Sequence, residues 1–275
     1  MIKLSVVIPS RNGIALLQRF LPAIVHEALR ASGEIIVVDD CSEDNTANEL
    51  ASRFPEVRIL TRTENPGFCH AVNLGMSQAT GEYLLLLNND TIPSKNAFSH
   101  LVAELSGSEK NVAAAVPEII RPDDSDDSLY RWAFHRGLAV TGEGIEGEEY
   151  PSGACSLWRR EVWENLGGLC SQYAPIYWED TDLGARMHKA GFSMIRCSGI
   201  TVQHVHAATM GNSEASDSLR ERNRFIFMEL NCRTQGRRLG TAFWLPFHLL
   251  RAFISGNRPF VNGYRDYLKW KRAKH

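Results

Sequence analysis

The chain lacks the features that mark membrane-spanning, secreted and nucleic-acid-binding proteins. Its 275 residues contain no uncharged apolar stretch of about 18 residues, so no membrane-spanning helix is predicted. The six cysteines form no C-x-x-C pair, and the opening residues have only a short apolar run before Pro9, unlike a signal peptide. We therefore expect reduced thiols and a cytoplasmic location. A formal net charge of −2 gives no reason to expect a nucleic-acid partner.

Glycine-rich phosphate-binding loops are also absent. A dinucleotide site of the Rossmann type requires G-x-G-x-x-G after the first strand, and the segment IPSRNG supplies only Gly13. The chain has no P-loop motif either. A divalent metal is the remaining route by which this protein could hold a diphosphate.

Strand and helix patterns alternate over the first hundred residues. Apolar runs at residues 3–9, 34–40, 56–62 and 82–90 predict strands, and periodic segments between them predict helices. This alternation is typical of βαβ units. We therefore predict an α/β, Rossmann-like fold in which a mainly parallel central sheet is flanked by helices. Because crossovers are right-handed, the carboxyl ends of the parallel strands share one edge.

The second half of the chain is less regular. A strand is predicted over residues 112–120, followed over 121–151 by an acidic, solvent-exposed excursion with a short strand or two. Strand and helix patterns return over residues 150–206. From Leu219 the pattern is helical, but the glycines and Pro246 predict several short helices rather than one long one.

Polar residues follow four of the predicted strands at the point where each strand ends. They are Pro9, Ser10, Arg11 and Asn12, then Asp39 and Asp40, then Arg62, Asn65 and Gly67, and last Asn88, Asn89 and Asp90. Each group alone has an ordinary explanation as a helix cap or a turn. Their shared place at the ligand-binding edge of a parallel sheet favours a ligand site.

The fourth strand carries the clearest indication of a metal. Four leucines, Leu84–Leu87, run directly into Asn88, Asn89 and Asp90. A continuous apolar run predicts a strand buried on both faces, which would be a rigid support. Asn88 and Asp90 lie on the same strand face and form a minimal oxygen site for Mn²⁺ or Mg²⁺. Closure of a tight turn by the asparagines is the alternative.

Two further clusters could carry chemistry. Glu179, Asp180 and Asp182 lie within five residues beside Trp178, although the helix dipole alone favours acids at a helix start. His204 lies two residues before His206, on the same face of a predicted strand, where a histidine is more often structural.

Five segments, in order, resemble family 2 glycosyltransferases of the GT-A fold, over roughly residues 3–210. They are SVVIPSRN, EIIVVDDCSEDNT, NPGFCHAVNLGMSQATGEYLLLLNNDT, SGACSLWRREVWENLGG and YWEDTDLGARMHKAGF. The branch that they resemble most builds bacterial surface polysaccharides and includes many rhamnosyltransferases. The resemblance implies a metal-dependent, inverting transfer from a UDP- or dTDP-sugar to a hydroxyl of a glycan or lipid-linked glycan.

The resemblance also implies roles for single residues. Asp180 corresponds to the general base, and Asp90 to the last position of a D-x-D motif whose first position is Asn88 here. The metal would then rest on Asp90 and need a further ligand, for which His204 is favoured, with His206 as the alternative. The expected donor- and substrate-binding residues are Pro9, Arg11, Asn12, Asp39 or Asp40 (to N3–H of uracil or thymine), Asn65, Gly67, Asn73, Asn88, Asn89, Trp178 and Glu179.

Two other functions stay open at this point. A sugar nucleotidyltransferase shares a related sheet but should have a glycine-rich N-terminal loop, which residues 8–18 do not provide. A catalytically inactive sugar-binding or scaffold relative is the second, because Asn88 departs from D-x-D.

The resemblance divides the chain into three parts. Residues 1–105 would be the nucleotide-sugar-binding half of a GT-A domain, 106–218 its acceptor-binding half, and 219–275 a C-terminal helical extension. From Arg233 onward the extension carries ten basic residues and one acidic residue, a charge of +9. Its aromatic and basic composition predicts peripheral contact with a membrane. The alternatives are docking on the catalytic domain and a homodimer interface.

Overall fold

The computed structural model describes residues 3–142, 144–205 and 213–274, and this part of the chain contains eleven strands and nine α-helices. The strands are β1 (Leu4–Ser10), β2 (Glu34–Asp40), β3 (Val57–Arg62), β4 (Tyr83–Leu87), β5 (Thr91–Pro93), β6 (Val112–Ile120), β7 (Leu129–His135), β8 (Leu138–Gly142), β9 (Glu148–Pro151), β10 (Cys155–Arg159) and β11 (Ser193–His204). The helices are α1 (Ile14–Arg30), α2 (Thr46–Arg53), α3 (Phe68–Gln78), α4 (Ala97–Gly107), α5 (Arg160–Leu166), α6 (Glu179–Lys189), α7 (Glu214–Asn231), α8 (Gln235–Ile254) and α9 (Arg258–Ala273).

Eight strands form the central sheet, in the order β3-β2-β1-β4-β10-β6-β11-β5. Strands β1 to β4 pair in parallel, as do β6 and β11. The strand β10 is antiparallel to both of its neighbours, so β6 and β11 run in the same direction as β4. The predicted α/β architecture with a mainly parallel sheet is therefore confirmed, and the carboxyl ends of β4 and β11 lie at one edge.

The four leucines of β4 are divided between two hydrophobic cores. Leu84 and Leu86 join the core on one face of the sheet, and Leu85 and Leu87 join the core on the other face. All four side chains are buried. The prediction of a strand buried on both faces is thus confirmed, and the residues that follow β4 start from a rigid base.

Residues 121–151 differ from the predicted solvent-exposed excursion. They form a second, antiparallel sheet in the order β8-β7-β9. Trp132 and Tyr150 of this sheet are buried in the core, and the Trp132 ring lies 4.8 Å from that of Phe227 in α7. The alternation of apolar and polar side chains spans only a few residues in each of these strands, and the many acidic residues around them made it hard to recognise in the sequence.

The three C-terminal helices pack on the α/β domain. Phe225 of α7 contacts the rings of Phe260, Tyr264 and Tyr267 of α9, with centroids 5.0–5.6 Å apart. The two helices approach so closely that a Cβ at Gly263 would overlap α7. Phe225, Phe260 and Tyr267 belong to the same hydrophobic core as one face of the central sheet. Among the helices within the described ranges, none has the length and hydrophobicity needed to cross a bilayer.

The predicted interruption of the C-terminal helices at Pro246 is wrong, since α8 continues through Pro246, Gly236 and Gly240. Proline removes one helical hydrogen bond and disfavours a straight helix. Here Thr241 Oγ1 donates to the Gly137 carbonyl (2.9 Å), and His248 Nε2 lies 2.7 Å from the Arg136 carbonyl. These two contacts hold α8 to the β7–β8 turn on either side of the proline, and tertiary packing outweighs the local preference.

Candidate active site

A cavity of about 810 Å³ opens at the edge where the parallel strands end. Its size is within the range of small-molecule sites. The predicted site residues that line it are Pro9, Arg11, Asn12, Asp40, Gly67, Asn88, Asn89, Asp90, Trp178, Glu179, Asp180 and His204. The structure therefore brings together residues that are distant in sequence. Further lining residues that sequence reasoning missed include Arg121, Asp127, Tyr130, Tyr150 and Arg220.

Asp40 forms one wall of the cavity. Its Oδ1 pairs with the guanidinium of Arg62, and its Oδ2 accepts the backbone N–H of Gly67 at 2.6 Å. Asp39, the alternative for this place, instead accepts the N–H of Ser42 at 3.3 Å and is not among the described residues that line the cavity. The two adjacent carboxylates point to different surroundings, as expected for neighbours in a strand.

Asn65 and Asn73 do not line the cavity within the described chain. The carboxamide of Asn73 donates to the Leu169 carbonyl at 2.7 Å and accepts the Leu169 N–H at 2.9 Å. It therefore ties α3 to the segment after α5. Asn65 accepts a hydrogen bond from Arg62 through its backbone carbonyl, 3.0 Å away.

The floor of the cavity joins the ends of β1 and β4. Asn89 Nδ2 donates to Ser10 Oγ at 2.9 Å, and both residues are buried. A Cβ at Gly13 would overlap both of these polar atoms. Glycine at position 13 therefore allows close packing at the end of β1. It is not part of a glycine-rich phosphate-binding loop like that of a dinucleotide-binding fold.

His204 lies between two carboxylates at the edge of the sheet. Its Nδ1 is 2.7 Å from Asp127 Oδ2, and its Nε2 is 3.2 Å from Asp90 Oδ1. Asn88 Nδ2 lies 3.4 Å from the same Nε2. The predicted grouping of Asn88, Asp90 and His204 at one place is thus present, whereas His206 lies outside the described residues.

The protonation of His204 bears on whether this place fits a cation. Burial lowers the pKa of His204, but hydrogen bonds to Asp127 and Asp90 outweigh that effect and raise the pKa to about 9. A neutral imidazole that donates Nδ1–H to Asp127 would direct its Nε2 lone pair toward Asp90. A lone pair and a carboxylate oxygen 3.2 Å apart require a proton or a metal cation between them. The donor atoms therefore fit a divalent cation held by one carboxylate and one imidazole.

Asp127 was not singled out by any motif, because it lies in an acid-rich stretch without clear periodicity. It is buried, and its Oδ1 accepts hydrogen bonds from Tyr130 and Arg121 while its Oδ2 faces His204. Burial raises the pKa of Asp127, but the bonds from His204, Tyr130 and Arg121 hold it well below its usual range. Asp127 is therefore a carboxylate that keeps its charge beside the histidine.

The acids of α6 divide into three environments. Asp180 lines the cavity, with its Oδ1 accepting the Thr181 N–H at 2.6 Å. Asp182 faces the interior and accepts bonds from Tyr173 and Arg186 in the domain and from α7. Glu179 is buried, and its Oε2 has no hydrogen-bond partner within the described residues. One acid of the three is thus structural.

Glu179 and Asp180 share one region of the cavity and influence each other. Burial, followed by the charge of Asp180, raises the pKa of Glu179 well above its usual range. Burial also raises the pKa of Asp180, although bonds from Thr181 oppose that effect. Two adjacent carboxyl groups with raised pKa values titrate as a pair. Since Glu179 Oε2 has no hydrogen-bond partner within the described residues, whereas Asp180 Oδ1 accepts bonds from the N–H and the hydroxyl of Thr181, we assign the shared proton to Glu179 and the negative charge to Asp180.

The turn before α6 has an unfavourable backbone conformation that α7 supports. Tyr177 and Trp178 have φ values of 82° and 73°, in the left-handed region that bulky residues rarely adopt. The carboxamide of Asn223 in α7 is fully buried and lies 2.6 Å from the Tyr173 carbonyl, 2.8 Å from that of Ile176 and 3.0 Å from that of Tyr177. Asn223 therefore holds the turn that positions Asp180.

A model of the family "Glycosyl transferase family 2" matches residues 5–167. The chain is 27% identical over 247 residues to an N-acetylglucosaminyl-diphospho-decaprenol L-rhamnosyltransferase of Mycobacterium tuberculosis, with 77% of this chain and 79% of the relative covered. It is 25% identical over 189 residues to the O-antigen chain rhamnosyltransferase WbaN of Salmonella anatum, with 64% and 58% covered.

Two solved structures have a similar fold. The mannosyltransferase PcManGT from Pyrobaculum calidifontis, in complex with GDP-Man and Mn²⁺, has a TM-score of 0.63 at 17% identity, over 97% of this chain and 87% of that chain. GalNAc-T7 with UDP, GalNAc and Mn²⁺ has a TM-score of 0.62 at 18% identity, over 83% and 48%. At these identities the similarity concerns the fold, and it confirms the predicted GT-A architecture.

Replacing Asn223 should weaken the fold around the turn before α6. We expect Asn223→Ala to lower the free energy of unfolding by about 1–3 kcal/mol, because it leaves buried carbonyls without donors. Asn48→Ala is the control, since Asn48 is exposed on α2, and it should change stability by less than about 0.5 kcal/mol. Urea denaturation of both variants measures the difference, and equal losses would contradict the assigned role.

Proposed function

The chain belongs to glycosyl transferase family 2, and we propose that it performs an inverting, metal-dependent transfer from a UDP- or dTDP-sugar to a hydroxyl of its acceptor. The observation that carries this proposal is the shared cavity. The same cavity of about 810 Å³, at the ends of the parallel strands, is lined by Asp90, His204 and Asp180. A donor bound there would have a cation site and a base within one cavity.

Asp180 is the residue that we propose as the general base. Its carboxylate takes the proton from the acceptor hydroxyl as the oxygen attacks the anomeric carbon, and the nucleoside diphosphate departs from the opposite side. A single displacement of this kind inverts the anomeric configuration. A raised pKa makes a carboxylate a stronger base, and the proton assigned to Glu179 leaves Asp180 ionised.

Asp40 is the residue that we propose for recognition of the base of the donor nucleotide. Both oxygens of its carboxylate have one partner each, and each oxygen keeps a second lone pair. A carboxylate acceptor favours uracil or thymine, which carry a hydrogen at N3, over cytosine, which does not. Pro9, Arg11, Asn12 and Gly67 line the same cavity and would complete the nucleotide pocket.

Asp90 and His204 are the residues that we propose to hold Mn²⁺ or Mg²⁺. When bound, such a cation neutralises the negative charge that develops on the departing diphosphate. Asn88 stands where a first acidic residue is usual, and the imidazole of His204 would take that ligand position. Both structural neighbours were solved with Mn²⁺, which supports a divalent metal here.

The acceptor that we propose is a glycan or lipid-linked glycan in surface polysaccharide synthesis. The mycobacterial relative is named for a diphospho-decaprenol acceptor and for the transfer of L-rhamnose, and WbaN for an O-antigen chain. We also propose that residues 1–105 bind mainly the donor and 106–218 mainly the acceptor. We propose a cytoplasmic location as well, as expected from the spacing of the six cysteines in the sequence.

Removing the charge of Asp180 should abolish catalysis while preserving donor binding. We expect Asp180→Asn to lower the transfer rate by about 10²–10⁴-fold, which is typical for loss of a general base. The measurement is release of UDP or dTDP from a panel of donors, alongside nucleotide affinity by calorimetry. Glu161→Gln, on the exposed surface of α5, is the control and should match the wild type. Wild-type turnover by Asp180→Asn would exclude it as the base, and an inactive wild type would favour the sugar-binding alternative.

Metal-dependent nucleotide binding should require Asp90. We expect Mn²⁺ to strengthen binding of UDP or dTDP to the wild type, not to Asp90→Ala, and to a reduced extent to His204→Ala. Titration calorimetry with Mn²⁺ or with EDTA separates the two contributions, and affinity in EDTA should change little among the three proteins. Full enhancement by Mn²⁺ in Asp90→Ala would remove Asp90 from the metal site.

A further inference from the structure

Helix α8 carries an exposed apolar face. Of the eight large hydrophobic side chains exposed in the described part of the chain, six lie on this helix: Leu239, Phe243, Phe247, Leu250, Phe253 and Ile254. Phe253 and Ile254 are 81% and 76% exposed. Patches of this kind on an otherwise ordinary surface mark interaction sites.

Five of the six exposed hydrophobic side chains of α8 form one continuous stripe. Leu239, Phe243, Phe247, Leu250 and Ile254 follow one another at intervals of four or three residues, which places them on one side of an α-helix. The opposite side of α8 carries Thr241, Trp244 and His248, which contact the β7–β8 turn. The helix is therefore attached to the domain along one side and presents a different, apolar side outward.

Exposed basic residues lie on α8 and just after it. Arg238 and Arg251 are exposed on α8, Arg258 is exposed at the start of α9, and the block from Arg233 onward carries +9. A helix with an apolar stripe and flanking cations is suited to lie in the interface of a bilayer that contains anionic lipids. We propose that α8 docks the protein on an anionic lipid surface, with the stripe in the boundary between headgroups and acyl chains.

A second copy of the chain is the other occupant to consider, and the charges argue against it. A symmetric dimer places the same patch of both copies face to face. The exposed arginines of both copies would then be brought into one interface, where their positive charges repel. Anionic lipid headgroups instead attract those cations.

Co-sedimentation of the full-length protein with liposomes tests this docking. One set of liposomes contains phosphatidylglycerol and phosphatidylcholine, and the other phosphatidylcholine alone, each at low and high salt. We expect binding to the anionic set and weaker binding at high salt. Phe243→Ser/Phe247→Ser should lower the partition coefficient by tenfold or more, because two aromatic anchors are lost. Leu29→Ser, which removes an exposed leucine of α1, is the control and should bind like the wild type.

The outcomes distinguish the two occupants. No binding by the wild type, equal binding to both lipid sets, or wild-type binding by the double variant would overturn the proposal. Sedimentation velocity without lipid would reveal a dimer that the double variant loses, and such a dimer without lipid binding would assign the stripe to a second copy. None of these results depends on the transfer reaction, so the proposed function is tested separately.

The contact between Asp127 and His204 carries a second inference, which rests on the proposed metal site. A metal-binding histidine usually donates its other ring N–H to a carboxylate, which fixes the tautomer and the orientation of the ring. Asp127 Oδ2 lies 2.7 Å from His204 Nδ1, on the side of the ring away from Asp90. Tyr130 and Arg121 in turn hold Asp127 through its Oδ1.

We infer that Asp127 is a positioning residue that directs His204 Nε2 toward the metal. The carboxylate faces Nδ1 and thus belongs to the second layer around the cation. Asp127 thereby orients His204 as a metal ligand beside Asn88, whose side chain carries no negative charge.

Binding of Mn²⁺ to Asp127→Asn in the presence of UDP or dTDP tests this inference. The variant keeps the shape of the side chain and loses its charge, and we expect the dissociation constant for Mn²⁺ to rise by about tenfold or more. Nucleotide affinity in EDTA should stay unchanged. Asp126→Asn is the control, because Asp126 contacts Arg196 and Ser128 rather than the histidine.

Three outcomes can be told apart. Wild-type Mn²⁺ affinity in Asp127→Asn would overturn the positioning role and leave the metal site in place. Equal weakening with Mn²⁺ and in EDTA would indicate a merely structural residue and overturn it as well. A wild type that binds no Mn²⁺ would remove the metal from the proposed function itself.

Discussion

The positions of Asp90 and His204, the proposed metal ligands, depend on the strand pairings made by β11. Parallel pairing with β6 brings the end of β11 to the edge where β4 ends, because β10 reverses direction between β4 and β6. Antiparallel pairing with β5 then sets His204 opposite Thr91, one residue after Asp90. The backbone adds a direct link, since the Val205 N–H donates to the Asp90 carbonyl at 3.0 Å. A slip of one residue in either pairing would turn the imidazole to the other face of the sheet.

Several carboxylates lie close together at the cavity, and their mutual repulsion must be offset. Asp40 is paired with Arg62, and Asp90 and Asp127 share one histidine. Glu179 has no partner of opposite charge among its described contacts, so its burial favours the neutral form. Asp180 can then remain charged beside it. We therefore infer that the acids at this edge do not all carry the same charge, a difference that the proposed base and the proposed metal ligand would both require.

The C-terminal helices connect the cavity to the outer surface of the protein. Asn223 of α7 holds the turn before α6, and the same helix packs on α9 through Phe225. The helix α8 is attached to the β8-β7-β9 sheet. Two residues of this sheet, Tyr130 in β7 and Tyr150 in β9, line the cavity. Docking of α8 on a lipid surface would consequently orient a cavity to which it is linked by rigid elements. For a lipid-linked acceptor, such an arrangement keeps the reacting hydroxyl near the membrane.

The sequence by itself determined the α/β architecture and the doubly buried strand β4, because the periodicity of apolar residues is contained in short segments. It also predicted that Asp90 follows a strand at the ligand-binding edge of the sheet. Tertiary structure decided what depends on distant partners. It separated Asp40 from Asp39, assigned Asn73 to packing rather than to the cavity, and placed Asp127 behind His204. The continuity of α8 through its proline was also decided there, since contacts to another element outweigh local propensity. Such contacts join residues that are far apart in the sequence, and their spacing along the chain does not predict that they meet.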